Sequence, residues 1–179
     1  MDTRTSPIRL RLERLREVMQ GEQVDALLVP SSDPHISEYL PERWQGRQWF
    51  SGFTGSMGTL VVMQNKAAVF ADSRYWVQAE AELAGTGVEL VKIPTGTAHL
   101  HVQWLAQQVQ RGGTVAVDAQ VLGLAAAQQL RTALDAAGVH LRTDADLLES
   151  AWSDRPSLPA AAVYAHEAPY AAVDRGAKL

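Results

Sequence analysis

Short apolar runs alternate with segments of helical period along residues 7–152, and this alternation restricts the fold more than any other feature of the sequence. The apolar runs are residues 24–29, 59–63, 67–71, 88–93, 114–118 and 139–142. The segments of helical period are residues 7–20, 73–83, 97–110, 124–137 and 144–152. A short polar link around Asn65 joins the second and third runs, which predicts a hairpin there. The pattern predicts an α/β domain of three layers, in which helices flank a mixed sheet.

Residues 30–58 are rich in turn-forming residues, and we expect helix there only around residues 34–39, with Asp33 as its N-cap. Asp144 is the expected N-cap of the last helix. The aromatic side chains of the 30–58 segment are poorly explained by one small core, so we expect them at an exposed edge that faces a partner. They are Trp44, Trp49, Phe50 and Phe53.

The composition is that of an ordinary globular protein, because 46% of the 179 residues are hydrophobic and 20% are charged. The formal net charge of −4 comes from interspersed residues, which disfavours nucleic acids and anionic membranes as partners. No run reaches the roughly 20 apolar residues that a membrane span needs. The chain has no cysteine, which excludes disulfides and thiolate chemistry and fits a cytoplasmic protein.

Metal sites and acid–base sites usually need histidine, and the histidines of this chain are scattered. His99 and His101 are two residues apart, so on a helix their rings lie on different faces and cannot bind one metal. We interpret them as surface histidines. Glu80 and Glu82 lie on a predicted helix, where solvent accounts for their charge. The sequence therefore predicts neither a metal site nor a catalytic residue in this chain.

Three glycines lie close together ahead of a predicted strand: Gly52, Gly55 and Gly58. Their spacing matches no phosphate-binding motif, and a helix N-terminus does not follow them. We interpret the segment as a tight loop that presents Phe53 and Ser56. Residues 31–39 contain Ser, Asp and His but no Gly-x-Ser-x-Gly turn, which favours capping over hydrolase chemistry.

Asp72 and Arg74 stand at the start of the helix predicted over residues 73–83, and they allow two interpretations. We favour a structural role, in which Asp72 caps the helix and Arg74 pairs with it, because helix starts often recruit such pairs. Alternatively, Arg74 points away from the domain, where its guanidinium fork can bind a substrate carboxylate.

Five segments, taken in order, resemble the N-terminal region of Xaa-Pro aminopeptidases of the long, three-domain type. They are VPSSDPHISEY at residues 29–39, FSGFTGSMGT at 50–59, ADSRYWVQA at 71–79, GTVAVD at 113–118 and LLESAWSDRP at 147–156. The resemblance spans residues 9–178, with Ser73 where the family usually has glycine and Met57 where it usually has alanine.

The resemblance implies a non-catalytic, creatinase-type N-terminal domain that is related in fold to ribonuclease-H-like sheets. The family cleaves the bond between an N-terminal residue and a following proline. It uses two divalent metals, typically manganese, held in a C-terminal domain by aspartates, a histidine and glutamates. The implied partners are the protein's own catalytic domain, a peptide with proline at the second position, and a second copy in a homodimer. The residues that we place at the substrate cleft on this basis are Arg74, His35, Phe53 and Asp72.

We expect residues 1–153 to form this domain, and residues 154–179 to be a linker and the start of a truncated second domain. The reason is that residues 155–163 are rich in proline and alanine and lack helical period. Two alternatives stay open. One is the N-terminal domain of a prolidase or creatinase relative, and the other is a stand-alone binding or scaffold domain that lacks the enzyme half.

Overall fold

One six-stranded sheet organises the chain in the computed structural model, which describes residues 6–94 and 99–179. The strands are β1 (Ala26–Pro30), β2 (Thr59–Met63), β3 (Ala67–Asp72), β4 (Glu89–Ile93), β5 (Thr114–Ala116) and β6 (His140–Arg142). The helices are α1 (Pro7–Gly21), α2 (Gly46–Ser51), α3 (Trp76–Leu83), α4 (Leu100–Gln108), α5 (Leu124–Ala137), α6 (Leu147–Ala151) and α7 (Arg175–Lys178). Short 3₁₀ turns cover Glu42–Trp44, Ser73–Tyr75 and Ala119–Val121.

The sheet is mixed. Its strand order is β4-β3-β2-β1-β5-β6, and β2 runs antiparallel to both of its neighbours. The pairs β1–β5, β3–β4 and β5–β6 are parallel. Strands β2 and β3 form the central hairpin, in which Val61 lies opposite Ala68. The predicted mixed sheet and hairpin are confirmed.

Helices cover both faces of the sheet because the strand side chains are apolar on both sides. In β1, Leu27 and Val29 belong to the core cluster shared with α1, α2, α3 and α6. Their neighbours Ala26 and Leu28 belong to the cluster shared with α4 and α5. This alternation places the sheet between two helical layers, so the predicted three-layer arrangement is confirmed.

The helices that the sequence predicts from apolar period are present with small shifts at their ends. α5 has the predicted bounds and ends where Gly138 adopts the left-handed conformation, with φ 69°. α1 begins with Pro7 at its first position, where a missing amide hydrogen costs nothing. α4 is described from Leu100 onward, so its predicted start at Thr97 lies outside the described residues.

The helix predicted around residues 34–39 is wrong. Oδ1 of Asp33 accepts hydrogen bonds from the backbone amides of His35 and Ser37, both at 2.9 Å, and so stabilises a turn. Ile36 has φ 55°, which a right-handed helix does not allow. The helical segment of this region is instead α2, which follows the 3₁₀ turn.

Asp146 caps α6, so the predicted cap at Asp144 is wrong. Oδ1 of Asp146 accepts the backbone amide of Leu148 at 3.1 Å. Asp144 instead accepts a hydrogen bond from Nε of Arg142 at 2.9 Å. The cation on β6 therefore competes for Asp144 and leaves the helix start to the next aspartate.

Phe50 and Phe53 are fully buried in the domain's own core, so the prediction of an exposed aromatic edge is wrong for both. Trp49 is half-buried and stacks on Trp152, with ring centroids 4.8 Å apart. The guanidinium of Arg11, from α1, lies 4.1 Å from the Trp49 ring. Contacts from α1 and from Trp152 thus explain why aromatic residues that were predicted to be exposed are covered within the domain.

Replacing Leu134 by alanine should lower the free energy of unfolding by about 2–5 kcal/mol, because the fully buried side chain leaves a cavity. Leu124→Ala on the same helix is the matched control, since Leu124 is 75% exposed and its loss should stay within about 0.5 kcal/mol. Urea denaturation of both variants measures the difference. Equal losses would contradict the packing of α5 on the sheet.

Candidate functional site

Five strands end and β2 begins at one edge of the sheet, because β2 alone runs antiparallel to the rest. The segment that joins β1 to β2, residues 31–58, therefore lies at this edge together with residues 72–75. We call these two segments the carboxyl-edge loops. In open α/β sheets, ligands bind outside the carboxyl ends of the strands, so these loops are the candidate position for a binding site.

Arg47, on α2, is the central polar residue of the carboxyl-edge loops. Its Nε donates to Oγ of Ser31 at 2.7 Å, and its Nη1 donates to the carbonyl of Phe53 at 2.9 Å. Its Nη2 donates to the carbonyl of Gly55. Oγ of Ser31 in turn donates to the carbonyl of Gly58 at 2.7 Å. Burial lowers the pKa of Arg47 to about 10, so the guanidinium remains charged at neutral pH and holds the loops from inside.

The glycine loop folds over the ring of Phe53 and requires glycine at position 55. A Cβ on Gly55 would lie 2.3 Å from Cζ of Phe53 and 2.7 Å from Cδ1 of Tyr75. The hydroxyl of Tyr75 shares a hydrogen bond of 2.5 Å with Oγ of Ser56. The loop therefore presents Ser56, as predicted, but its Phe53 ring points inward, which corrects the interpretation that it presents both.

Glu82 fastens the same loop from α3. Its Oε2 accepts the backbone amide of Thr54 at 2.8 Å, and its Oε1 accepts the Thr54 hydroxyl at 2.6 Å. Burial alone would raise the pKa of Glu82, but the hydrogen bonds from Thr54 and Gln78 and the charge of Arg47 together outweigh it, so the pKa lies below its ordinary value. The interpretation that solvent accounts for its charge is wrong for Glu82. Glu80, in contrast, forms an exposed ion pair with Lys92.

Asp72 and Arg74 form an exposed, two-pronged ion pair at the end of β3. Nε and Nη2 of Arg74 donate to Oδ1 and Oδ2 of Asp72 at 2.9 and 2.8 Å, and the Arg74 amide also donates to Oδ1. The side-chain hydrogen bond from Arg74 holds the pKa of the Asp72 carboxyl below its ordinary value. Asp72 thus caps the 3₁₀ turn and pairs with Arg74, the arrangement that the sequence favours. Within the described residues Nη1 of Arg74 makes no hydrogen bond, and the side chain is 65% exposed.

The structure brings only two of the four predicted cleft residues into contact. Asp72 and Arg74 contact each other, and His35 is exposed on the other carboxyl-edge loop. Among the described contacts none joins His35 to that pair. Phe53 has no exposed surface, so its ring cannot touch a ligand directly.

A pocket of about 280 Å³ opens at the carboxyl edge beside Asp72. Ser31, Met57 and His101 are among the residues that line it. His101 is half-buried against the ring of Phe70, and burial lowers its pKa to about 4, so the imidazole is neutral at neutral pH. The interpretation of His101 as a surface histidine is therefore wrong.

The sequence interpretation did not single out Arg47, which lies in a helix of six residues without a capping side chain. One signal was present in the sequence. Arg47 falls between two segments of the family resemblance and is followed closely by Trp49 and Phe50, so a cation stands in a segment that has to be buried.

Metal-binding groups do not converge in the described part of the chain. Over residues 6–94 and 99–179, no cluster of three histidine, aspartate or glutamate side chains could hold a metal ion. These residues therefore do not fit the two-metal centre that the family resemblance implies. The same described residues contain no helix that is both long and apolar enough to cross a membrane.

Sequence comparison connects the chain with one family. The family model of the creatinase/prolidase N-terminal domain matches residues 11–147. Xaa-Pro aminopeptidase 2 of Homo sapiens is 37% identical over 86% of this chain and 23% of its own length. The probable Xaa-Pro aminopeptidase P of Tuber melanosporum is 40% identical over 83% of this chain and 24% of its own length. The chain thus spans about a quarter of these curated relatives.

Solved structures share the fold. The X-prolyl aminopeptidase of Caenorhabditis elegans, described as a cytosolic enzyme with a di-nuclear active site, matches with a TM-score of 0.75 and 30% identity. That match covers 83% of this chain and 26% of the other. The N-terminal domain of the cytoplasmic peptidase PepQ from Mycobacterium tuberculosis H37Rv matches with a TM-score of 0.60 at 21% identity, which supports the fold alone. It covers 79% of this chain and 97% of the other.

Replacing Arg47 by methionine should lower the free energy of unfolding by roughly 2–4 kcal/mol, because the carbonyls of Phe53 and Gly55 lose their donor. Arg74→Met removes an exposed arginine from the same loops and is the matched control, for which no measurable change is expected. Arg47→Lys should fall in between, since one ammonium cannot reach all three acceptors. A urea-measured loss for Arg47→Met no larger than that for Arg74→Met would contradict the central role of Arg47.

Proposed function

The chain belongs to the creatinase/prolidase N-terminal domain family, and from this premise we propose that it is the non-catalytic N-terminal domain of a metal-dependent Xaa-Pro aminopeptidase. Such an enzyme removes the N-terminal residue from peptides with proline at the second position. The observation that carries the proposal is the identity of 37% and 40% to proteins named Xaa-Pro aminopeptidases. The chain corresponds to only about a quarter of their length, which leaves room for a separate catalytic domain.

The chemistry of the carboxyl edge supports a non-catalytic role for this domain. A general base needs a carboxylate or imidazole that is free to take a proton at the operating pH. Here the Asp72 carboxylate is engaged by Arg74, and the Glu82 carboxylate is engaged by Thr54. The lowered pKa of His101 makes that imidazole a weak base. These three groups are better suited to hold structure than to transfer protons.

We place the carboxyl-edge loops along one wall of the substrate cleft in the full-length enzyme. Arg74 is the side chain best suited to contact a peptide, because Asp72 fixes its orientation while Nη1 stays available for a carboxylate. His35 is exposed and Asp72 partly exposed at the same edge, and both remain candidates. Phe53 contributes by supporting the loop from within.

The proposed partners follow from the same assignment. The first is the protein's own C-terminal catalytic domain, which would hold two divalent metals, with manganese as the expected ion. The di-nuclear active site named for the Caenorhabditis elegans enzyme supports this part of the proposal. A homodimer, to whose assembly this domain contributes, and a cytoplasmic location complete it. Neither nucleic acid nor a membrane is an expected partner.

A prolidase or creatinase relative is the alternative assignment. The prolidase of Pyrococcus horikoshii OT3 shares the fold with a TM-score of 0.53, but at 12% identity, far below that of the curated aminopeptidases. An assay of the full-length protein on an Xaa-Pro dipeptide and on a longer peptide with proline at the second position distinguishes the two. A native protein no longer than this chain would instead support the stand-alone binding or scaffold domain.

The isolated chain should neither hydrolyse Xaa-Pro peptides nor retain manganese in stoichiometric amount, because three converging carboxylate or imidazole ligands do not occur among its described residues. Elemental analysis after equilibration with manganese and removal of free ion measures retention, and a peptide assay on the same sample measures activity. One tightly bound ion per chain together with activity would contradict the domain assignment.

In the full-length enzyme, Arg74→Ala should raise KM or lower kcat for an Xaa-Pro peptide while thermal unfolding stays unchanged. The peptide would lose its contact with the guanidinium, which changes the kinetic constants. Unfolding should be unaffected because the Arg74 side chain is exposed in this domain. Arg131→Ala, which removes an exposed arginine from α5, is the control and should change neither constant. If KM and kcat are unaltered in Arg74→Ala, Arg74 is only the structural partner of Asp72.

A further inference from the structure

The strand order reverses between β1 and β5, and a crevice lies there at the carboxyl ends of the two strands. In open α/β sheets this is the usual position for a ligand. Here the crevice is lined by apolar groups from β1 and by Asp118 and Asp146, yet only about 30 Å³ of space remains in it. That volume holds little more than a water molecule. The position that other α/β sheets keep open is closed in this domain.

The side chain of Arg155 lines this crevice. Only 3% of that side chain is exposed. Its Nη1 donates to Asp146 at 2.5 Å and to Glu149 at 3.0 Å, and its Nε donates to the carbonyl of Arg43 at 3.1 Å. The guanidinium also lies 5.3 Å from the ring centre of Trp44. Paired charges, directed hydrogen bonds and an aromatic face are the contacts by which proteins bind a cationic ligand.

Arg43 makes a second connection to the same segment. Its Nη2 donates to Oε2 of Glu149 at 2.6 Å, and its Nη1 donates to the carbonyl of Pro156 at 2.9 Å. Glu149 therefore accepts hydrogen bonds from both arginines. Through these contacts, residues 155 and 156 are held both to the 3₁₀ turn before α2 and to α6.

These connections stop after Pro156. In the described part of the chain, the hydrogen bonds of residues 157–179 are made within that segment. Large side chains just beyond Pro156 are exposed, and they include Leu158, Val163 and Tyr164 at 60%, 101% and 79%. The chain thus changes from fixed to exposed within two residues.

We propose that Arg155 is an internal ligand of the crevice and that, together with Arg43 and Glu149, it fixes the path by which the chain leaves the domain. The first freely oriented residue is then Ser157, and not residue 154, where the composition changes. A domain that follows would be joined through a pivot that starts at a fixed point beside α6 and the Glu42–Trp44 turn. This inference rests on the contacts of Arg155, Arg43 and Glu149 and is independent of the proposed activity.

Distance measurement between two spin labels tests the proposal, and the chain suits it because it contains no cysteine. One label replaces Glu17, an exposed residue of α1, and the other replaces Leu158. Double electron–electron resonance should give a narrow distance distribution in the otherwise unaltered chain. Arg155→Met should shift it to the broad distribution recorded when the second label replaces Val163.

Arg142→Met is the matched control for this experiment. Arg142 also bridges two carboxylates, those of Glu22 and Asp144, but its hydrogen bonds do not involve the exit segment. The distribution from the Leu158 label should stay narrow in this variant. Broadening in Arg142→Met equal to that in Arg155→Met would mean that any lost arginine loosens the chain, and it would overturn the proposal.

Glu149→Gln keeps the test decisive if Arg155→Met does not fold. The Glu149 side chain is 57% exposed, so its replacement spares the core, yet it removes the charge shared by Arg43 and Arg155. The distribution from the Leu158 label should broaden in this variant as well. A distribution already as broad as that from Val163 in the unaltered chain would overturn the proposal. So would one that stays narrow in each variant that folds.

Discussion

The carboxyl edge of this domain depends on a buried cation that backbone carbonyls satisfy. A buried guanidinium needs acceptors for its N–H groups, and carbonyls in a loop need donors because no strand supplies them. Arg47 meets both needs at once with the carbonyls of Phe53 and Gly55, while Ser31 extends the connection to the end of β1. Glu82 adds a favourable charge from α3. The loop and the cation therefore fix each other's positions.

Two arginines in the same loops consequently have opposite roles. The donors of Arg47 are directed inward to loop carbonyls and to Ser31, and burial lowers its pKa. Arg74 is held by one carboxylate, which raises its pKa, and most of its side chain faces solvent. A structural cation has to be desolvated and satisfied, whereas a cation that recognises a ligand needs an accessible donor. This difference, and not the residue type, is what makes Arg74 the candidate for contact with a peptide.

The features that the sequence predicts correctly are those set by neighbouring residues. The spacing of apolar residues predicts α5, and two apolar runs with a short polar link predict the hairpin. The pairing of Asp72 with Arg74 follows from their positions two residues apart at a helix start. Two of the failures depend on contacts between distant segments. Glu82 meets Thr54 from 28 residues away, and the burial of the 49–53 aromatics needs Trp152 and α1. The missing helix at 34–39 is a local failure, because Asp33 can cap a helix or close a turn with the same oxygen.

In our two proposals, the orientation of this domain depends on its carboxyl-edge loops and on the exit of its chain. The crevice at the β1–β5 reversal is lined by Arg155 and leaves only about 30 Å³ of space, so in our proposal a ligand contacts the carboxyl edge near β3, where Asp72 and Arg74 lie. A contact residue there is useful only if the domain keeps a constant direction relative to the proposed catalytic domain, since small displacements weaken a directed hydrogen bond. In our proposals Arg47 fixes the loops within the domain, and Arg155 fixes the exit of the chain from it. Arg47 would restrict motion of the loops within the domain, and Arg155 would restrict motion between domains. Both restrictions would be needed for Arg74 to contact the same point on every peptide.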